Sequence, residues 1–224
     1  MRPFPLLALV VLTALAASSA HASKLRRENL QLQVEGLGFA PSGSLAAQGG
    51  AALSDLVGMG PGYALGATLG VRPSLAVGVR MLYFGASTQG TYTFVDEAAP
   101  GGVGPFPQER KLRVTTVYGL LQYRRALGDR ALWSLEAGGG VSQSRERLVL
   151  SGTTTEQASA VGVQLDPTYA LGAGLAWKAF GNTALTLDGR WIGTLTGDGA
   201  VWADGDSPRY LIASVGLRYP HDSN

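Results

Sequence analysis

Eight stretches of this 224-residue chain place an apolar residue at every second position, and the links between them alternate in length. Residues 41–61, 96–110, 151–166 and 197–208 are long, Gly- and Asp-rich links. Pro73-Ser74, Gly128-Asp129-Arg130 and Gly181-Asn182 are short turns. A two-residue period puts alternate side chains on opposite faces of a strand, and short turns join antiparallel neighbours. Eight such strands, each tied to the next, predict an all-β fold: a single antiparallel up-and-down sheet closed into an eight-stranded barrel.

The first strand is read from Asn29 to Glu35. The second runs from Tyr63 to Val71, with Tyr63, Leu65, Ala67, Leu69 and Val71 on one face. The third carries Leu75, Val77, Val79, Met81 and Tyr83 opposite Ala76, Gly78 and Arg80. The fourth lies within Lys111 to Ala126 and is ambiguous in register. Leu112, Val114, Thr116, Tyr118 and Leu120 share one face, but Val117, Leu121 and Tyr123 opposite them are apolar too. The fifth has Trp133, Leu135, Ala137 and Val141 in phase, and the sixth Tyr169, Leu171, Ala173, Leu175 and Trp177. The seventh sets Leu185, Leu187 and Trp191 against Asp188 and Arg190. The eighth sets Leu211, Ala213, Val215, Leu217 and Tyr219 against Ser214, Gly216 and Arg218. Each segment is close to the 9–11 residues that a tilted strand needs to cross a bilayer.

Alternation alone does not say which face points outward, since a soluble barrel of the lipocalin type alternates as well. Three features favour an apolar exterior. The other face is rich in glycine: Gly78, Gly138, Gly140, Gly172, Gly174 and Gly216. Glycine weakens an exposed strand face but fits a narrow barrel interior. Aromatic residues gather at strand ends. Tyr63, Tyr83, Tyr169, Trp191 and Tyr210 are assigned to the long-link end, and Tyr123, Trp133, Trp177 and Tyr219 to the short-turn end. Two such girdles match the two interfaces of a bilayer. Finally, long links on one side and short turns on the other are the extracellular loops and periplasmic turns of a transmembrane barrel.

The start of the chain agrees with that destination. Arg2 precedes an apolar run from Leu6 to Ala17, and Ala20-His21-Ala22 has the small-x-small form of a signal-peptidase site. The run is too short for a membrane-spanning helix. Residues 1–22 are therefore read as a signal peptide cut after Ala22, residues 23–219 as the barrel domain, and 220–224 as a short periplasmic tail. There is no cysteine, so neither a disulfide nor a lipoprotein anchor is available. Once Arg2 is removed, 17 of the 18 Lys and Arg face 16 Asp and Glu. Nothing in that balance suggests a nucleic-acid partner.

These strands resemble the small eight-stranded barrels of the Gram-negative outer membrane: the membrane domain of outer-membrane protein A, and the proteins X and W. The resemblance covers Asn29 to Tyr219 and rests on architecture. It implies a porin-like monomeric protein of the cell envelope, in contact with outer-membrane lipid and lipopolysaccharide. It also implies that the last strand, ending Leu217-Arg218-Tyr219, is read by the barrel-insertion machinery. The chain departs from that pattern by continuing through Pro220 to Asn224. A peptidoglycan-binding domain of the protein A type is not expected in so short a tail.

No catalytic constellation is visible, and the chain is read as a non-enzyme without metal or cofactor. Barrel enzymes generally set a His beside Ser, Asp or Glu. The two histidines here are His21, in the signal, and His221, in the tail; His221-Asp222-Ser223 holds triad residue types that cannot converge from adjacent positions. Asp198, Asp204 and Asp206 in one long link match no EF-hand spacing and read as turn chemistry. Ala51 to Met59 is a candidate amphipathic turn, a plug or a cap.

The inward phase carries five mid-strand charges: Glu35, Arg80, Glu136, Asp188 and Arg190. Charges in a narrow lumen must be paired or solvated. They are expected to form a network, read first as a structural filling and second as a gate of the kind the protein A resemblance implies. Two functions follow. One is a structural or surface-interaction barrel, with Thr91 to Val95 and Arg145 to Val149 standing above the membrane as hairpins. The other is a narrow pore or transport protein for small, apolar molecules, with a pocket near Leu82, Phe84 and Ile212.

Overall fold

A computed structural model of the chain describes residues 30–42, 44–45, 51–52, 59–95, 103–150, 157–195 and 209–220. The signal segment with its Ala22 cut, both histidines, Asp198, Asp204, Asp206 and most of the Ala51 to Met59 segment lie outside the described residues.

The strands in chain order are β1 (Leu30–Ser42), β2 (Ser44–Leu45), β3 (Ala51–Ala52), β4 (Gly60–Arg72), β5 (Leu75–Val95), β6 (Val103–Leu127), β7 (Ala131–Leu150), β8 (Gln157–Phe180), β9 (Thr183–Thr194) and β10 (Arg209–Tyr219). The two short strands β2 and β3 pair with each other within the first long link. The other eight close a barrel. Each pairs antiparallel with its sequence neighbour in the barrel, and β1 closes onto β10 with Val34 opposite Leu217. Closure leaves the barrel without a free edge, the condition for a sheet to sit in lipid. The tight turns are at Pro73-Ser74, 128–130 and Gly181-Asn182. Gly128 and Gly181 adopt positive φ of 69° and 53°, where a side chain would strain the backbone.

Burial alternates along the barrel strands. Leu30, Leu32, Val34, Leu65, Val77, Leu121, Leu135, Leu171, Leu175, Leu187, Leu211, Val215 and Leu217 are all exposed on the outside. Inward-pointing residues such as Gln33, Glu35, Arg80, Asp188 and Ser214 are buried. A water-facing exterior of this composition would be untenable for a soluble protein; a belt of contiguous apolar side chains is what a lipid-facing barrel presents. The ambiguous fourth strand settles with Leu112, Val114, Thr116, Tyr118 and Leu120 inside and Leu121 and Tyr123 outside.

Of the nine girdle aromatics, eight are outward and one is not. Tyr63 stacks on Tyr83 at 5.2 Å, Tyr169 meets Trp191 edge-on at 5.8 Å, and Tyr123 meets Trp133 at 5.6 Å. Trp177 and Tyr219 are exposed at the short-turn end. Tyr210 is the correction. It shares its parity on β10 with Ile212 and Ser214, not with Leu211 and Val215. Its ring is therefore buried inside the barrel against Phe39 and Phe84, at 6.2 and 5.1 Å.

Strand length is the second correction. β1, β4, β9 and β10 have 11 to 13 residues, but β5, β6, β7 and β8 have 20 to 25. Residues 103–110 and 157–166, expected in links, belong to strands. Pairing continues to Val95 opposite Val103, Gln108 opposite Leu150, and Leu150 opposite Gln157. Four adjacent strands thus form one sheet that continues past the long-link end of the belt. About ten extra residues per strand at ~3.3 Å each carry it roughly 30 Å further along the strand direction.

The outward assignment has a direct test. Val79 lies midway between Leu75 and Tyr83 on the outward row of β5, the part of that strand within the apolar belt, and Val215 lies midway along the outward row of β10. An arginine at the bilayer midplane of such a barrel costs ~2–4 kcal/mol. Val79→Arg and Val215→Arg should each lower the folded yield in lipid vesicles, measured by the heat-dependent shift of the folded band on a denaturing gel. Folded yields equal to wild type would mean that the faces are inverted.

Candidate functional site

The five charges that alternation places inside come from β1, β5, β7 and β9, and the barrel brings all of them together. Arg80 donates from Nη1 to both Glu136 oxygens, at 2.7 and 2.6 Å, and lies 3.7 Å from Glu35. Arg190 donates from Nε to Glu136 Oε1 at 2.8 Å and from Nη2 to Glu35 Oε1 at 2.8 Å, while its Nη1 donates to Glu35 Oε2. Arg190 Nη2 also lies 3.5 Å from Asp188 Oδ2. Two guanidiniums therefore each face the same two glutamates, and plus and minus alternate around a closed ring. All five residues are buried, with Arg80 fully so.

Neutral residues complete the ring. Tyr118 Oη donates to Glu136 Oε1 at 3.1 Å, giving that single oxygen three donors. Ser214 Oγ donates to Glu35 Oε2 at 2.5 Å. Gln33 is a hub: its Oε1 accepts from Arg80 at 3.1 Å and Arg218 at 3.2 Å. Its Nε2 donates to Asp188 at 3.0 Å and Thr186 at 3.3 Å. Nearer the short turns, Arg124 donates to Gln31 at 2.7 Å and Thr68 at 3.1 Å. Three inward acids against two bases leave a deficit in the five-residue set; with Asp166, Arg124 and Arg218 the buried charges among the described residues come to four acids and four bases.

Alternation and charge do not single out Gln33, Tyr118, Arg124, Ser214 and Arg218 as site residues. Parity is the signal available for Gln33, which is two residues from Glu35, and for Arg218, which is in phase with Ser214. Tyr118 and Arg124 sit on the strand whose register alternation leaves undecided.

Room for this network comes from glycine. Each of the five charges has a glycine as a direct cross-strand partner: Glu35 faces Gly216, Arg80 faces Gly66, Glu136 and Arg190 both face Gly172, and Asp188 faces Gly174. A Cβ on Gly172 would come within 2.9 Å of Glu136 Cγ and 3.0 Å of Arg190 Cγ. A Cβ on Gly174 would collide with the Asp188 carboxylate.

Toward the long links the lumen turns apolar on one wall. Phe39, Phe84, Tyr210, Ile192, Ile212 and Leu82 form one buried cluster, with Phe39 and Phe84 centred 4.5 Å apart. The expected pocket residues Leu82, Phe84 and Ile212 are thus packed into it. The other wall carries hydroxyls: Ser142 Oγ lies 2.7 Å from both Thr116 Oγ1 and Thr168 Oγ1. Arg80 Nε and both amide atoms of Gln122 are buried and have no hydrogen-bond partner among the described residues, which suits trapped water.

A buried ion network is costly to break from one side, at ~3–5 kcal/mol for a dry pair. Arg80→Ala leaves Glu35, Glu136 and Asp188 to share Arg190, an excess of buried negative charge, and should lower the unfolding temperature of the refolded barrel, read by circular dichroism. Glu136→Gln added to Arg80→Ala should recover part of the loss, since one of the excess negative charges is gone. No loss in the single variant would disconnect Arg80 from the barrel's stability. Gly172→Leu should destabilise more than Gly189→Leu, measured in the same way. Gly189 is outward and a Cβ there meets nothing within 4 Å. Equal effects would remove the steric role assigned to Gly172.

No protein-family model and no curated protein matches the chain. Solved structures do. Neisserial surface protein A superposes with a TM-score of 0.53 at 14% identity, covering 86% of this chain and 97% of its own. A major outer membrane protein of Thermus thermophilus gives 0.50 at 13%, covering 85% and 98%. The outer membrane protease OmpT of Escherichia coli gives 0.49 at 11%, covering 87% and 97%. At these identities the likeness is one of fold. The chain has the fold of the small bacterial outer-membrane barrels, as the resemblance in its strands implied.

Proposed function

We propose that the protein is a non-enzymatic resident of the bacterial outer membrane, with a structural and surface-interaction role rather than a transport role. The observation that carries this reading is the four-stranded sheet of β5 to β8, which continues well past the apolar belt while the rest of the barrel stops. Such a length of ordered sheet is not needed to cross a bilayer. The filled lumen points the same way. Arg80, Arg190 and Tyr118 occupy its middle with almost no exposure, and Phe39, Phe84 and Tyr210 pack above them.

A gated pore is the second reading, favoured by one feature of the ring. Arg80 and Arg190 each face both Glu35 and Glu136, so partners can exchange without any charge being left alone. Planar-bilayer recording separates the two. Wild type should pass no resolved current, and Arg80→Ala should change stability without opening a channel. A unitary conductance that changes in Arg80→Ala would favour the pore. Absence of cysteine makes topology testable as well. Ser87→Cys, exposed beyond the belt, should react with a membrane-impermeant maleimide on intact cells. Arg130→Cys, in a short turn, should react only after lysis. The reverse pattern would overturn the orientation.

A further inference from the structure

Two arginines face each other across the outer wall. Arg113 of β6 is the direct cross-strand partner of Arg145 of β7, and both are exposed. Like charges directly opposite one another destabilise a sheet. Among the described residues neither guanidinium makes an ion pair with a carboxylate. The next pair of the same phase in the register, Lys111 opposite Arg147, is again two cationic residues. Asp166, the buried acid of β8, faces the lumen on the other side of the wall. A repulsive pair at a fixed register position has a reason to persist if an anion sits between its members.

Its height says where the anion comes from. Tyr83 of the long-link girdle is opposite Thr115, and Gly85, two residues further on, is opposite Arg113. The arginine pair therefore stands one outward step, about 7 Å along the strand, above the aromatic level. Below it the outward row is Thr115, Val117, Gly119 and Leu121, facing lipid. Aromatic girdles mark the headgroup level, so the pair is at the height of lipid phosphates in the leaflet on the long-link side. Gly85, opposite Arg113 on β5, carries no side chain, and the Arg113 side chain lies over it, its Cγ 3.5 Å from where a Cβ would stand. Two facing guanidinium forks, on Cβ atoms about 5 Å apart, can close on one tetrahedral oxyanion.

We propose that Arg113 and Arg145 form a binding site for the phosphate of a phosphomonoester-bearing lipid in the outer leaflet. The proposal rests on the membrane-barrel reading above. It commits to a lipid phosphate, because the site is continuous with the lipid-facing belt and carries two adjacent positive charges suited to a dianion.

The test refolds wild type, the double variant Arg113→Gln/Arg145→Gln and Arg113→Glu into vesicles of phosphatidylcholine, alone or doped with bisphosphorylated lipid A or its dephosphorylated form. Insertion in phosphatidylcholine reports the barrel itself; failure of wild type there would sink the membrane reading, not the site. Given insertion, wild type should unfold at a higher temperature with phosphorylated lipid A than with the dephosphorylated form. It should also retain the phosphorylated lipid about tenfold more strongly than the double variant does. Arg113→Glu should behave oppositely in the two membranes. It should be at least as stable as wild type in phosphatidylcholine, because it converts Arg-Arg into Glu-Arg, and should lose the gain from lipid A. Equal gains in wild type and both variants, or full reproduction of the wild-type gain by inorganic phosphate alone, would overturn the site.

Discussion

The interior of an eight-stranded barrel holds little more than one layer of side chains, and every polar group that enters must find its partners there. Large charged residues on all strands at one level would not fit. This chain solves the problem by register. Each of the five inward charges, the four of the ring and Asp188, has a glycine beside it on a neighbouring strand, and Gly172 serves both Glu136 and Arg190. The charges then lie over the glycines and meet in the middle. Glycine in these strands is thus the vacancy the network is built into, and its cost to the strand is offset there. The same arrangement couples assembly to chemistry: the ring draws on β1, β5, β7 and β9, so it is complete only when the sheet has closed.

Parity is legible in the sequence and pairing is not. A period of two assigns each residue to a face from its own strand alone, so Arg80, Glu136 and Arg190 can be turned inward without knowing their neighbours. Which acid meets which base depends on the stagger between strands, and the stagger is written in no single strand. Gln33 shows the limit. Its neutral amide gives no reason to single it out, yet it touches Arg80, Asp188, Thr186 and Arg218. Tyr210 shows the opposite failure. Position near a strand end assigns this aromatic to the girdle, although its own parity with Ile212 points inward. Strand ends are the least legible feature. Residues 103–110 mix Pro, Gly and charge and read as a link, but in β6 they pair with β5 up to Val103.

The two ends of the lumen are built from different chemistry. Near the short turns the filling is polar, with Arg124, Gln31 and Thr68 hydrogen-bonded across strands. Toward the long links an aromatic cluster and a hydroxyl row face each other above the charged ring. Water that reaches the ring from the long-link side must pass Phe39, Phe84 and Tyr210. A charge shielded on that side keeps its partners close, since low local dielectric strengthens both the attraction and the penalty for separation. The aromatic cluster and the ring thus support each other.

The outer surface obeys a constraint complementary to that of the lumen. Inside, charges must cancel within the protein, and they do so around a closed ring of Glu35, Arg80, Glu136 and Arg190. Outside, just beyond the aromatic level, Arg113 and Arg145 do not cancel each other at all. The difference follows from the surroundings. A lumen offers no counter-ion, so the chain must supply one; a membrane surface offers phosphates in abundance, so the chain can leave the charge open. The paired cations on β6 and β7 and the projecting sheet above them lie at the same end of the barrel, the long-link end. The sheet extends from the same strands that carry the cations. A lipid phosphate held at its base would fix those strands where they leave the bilayer.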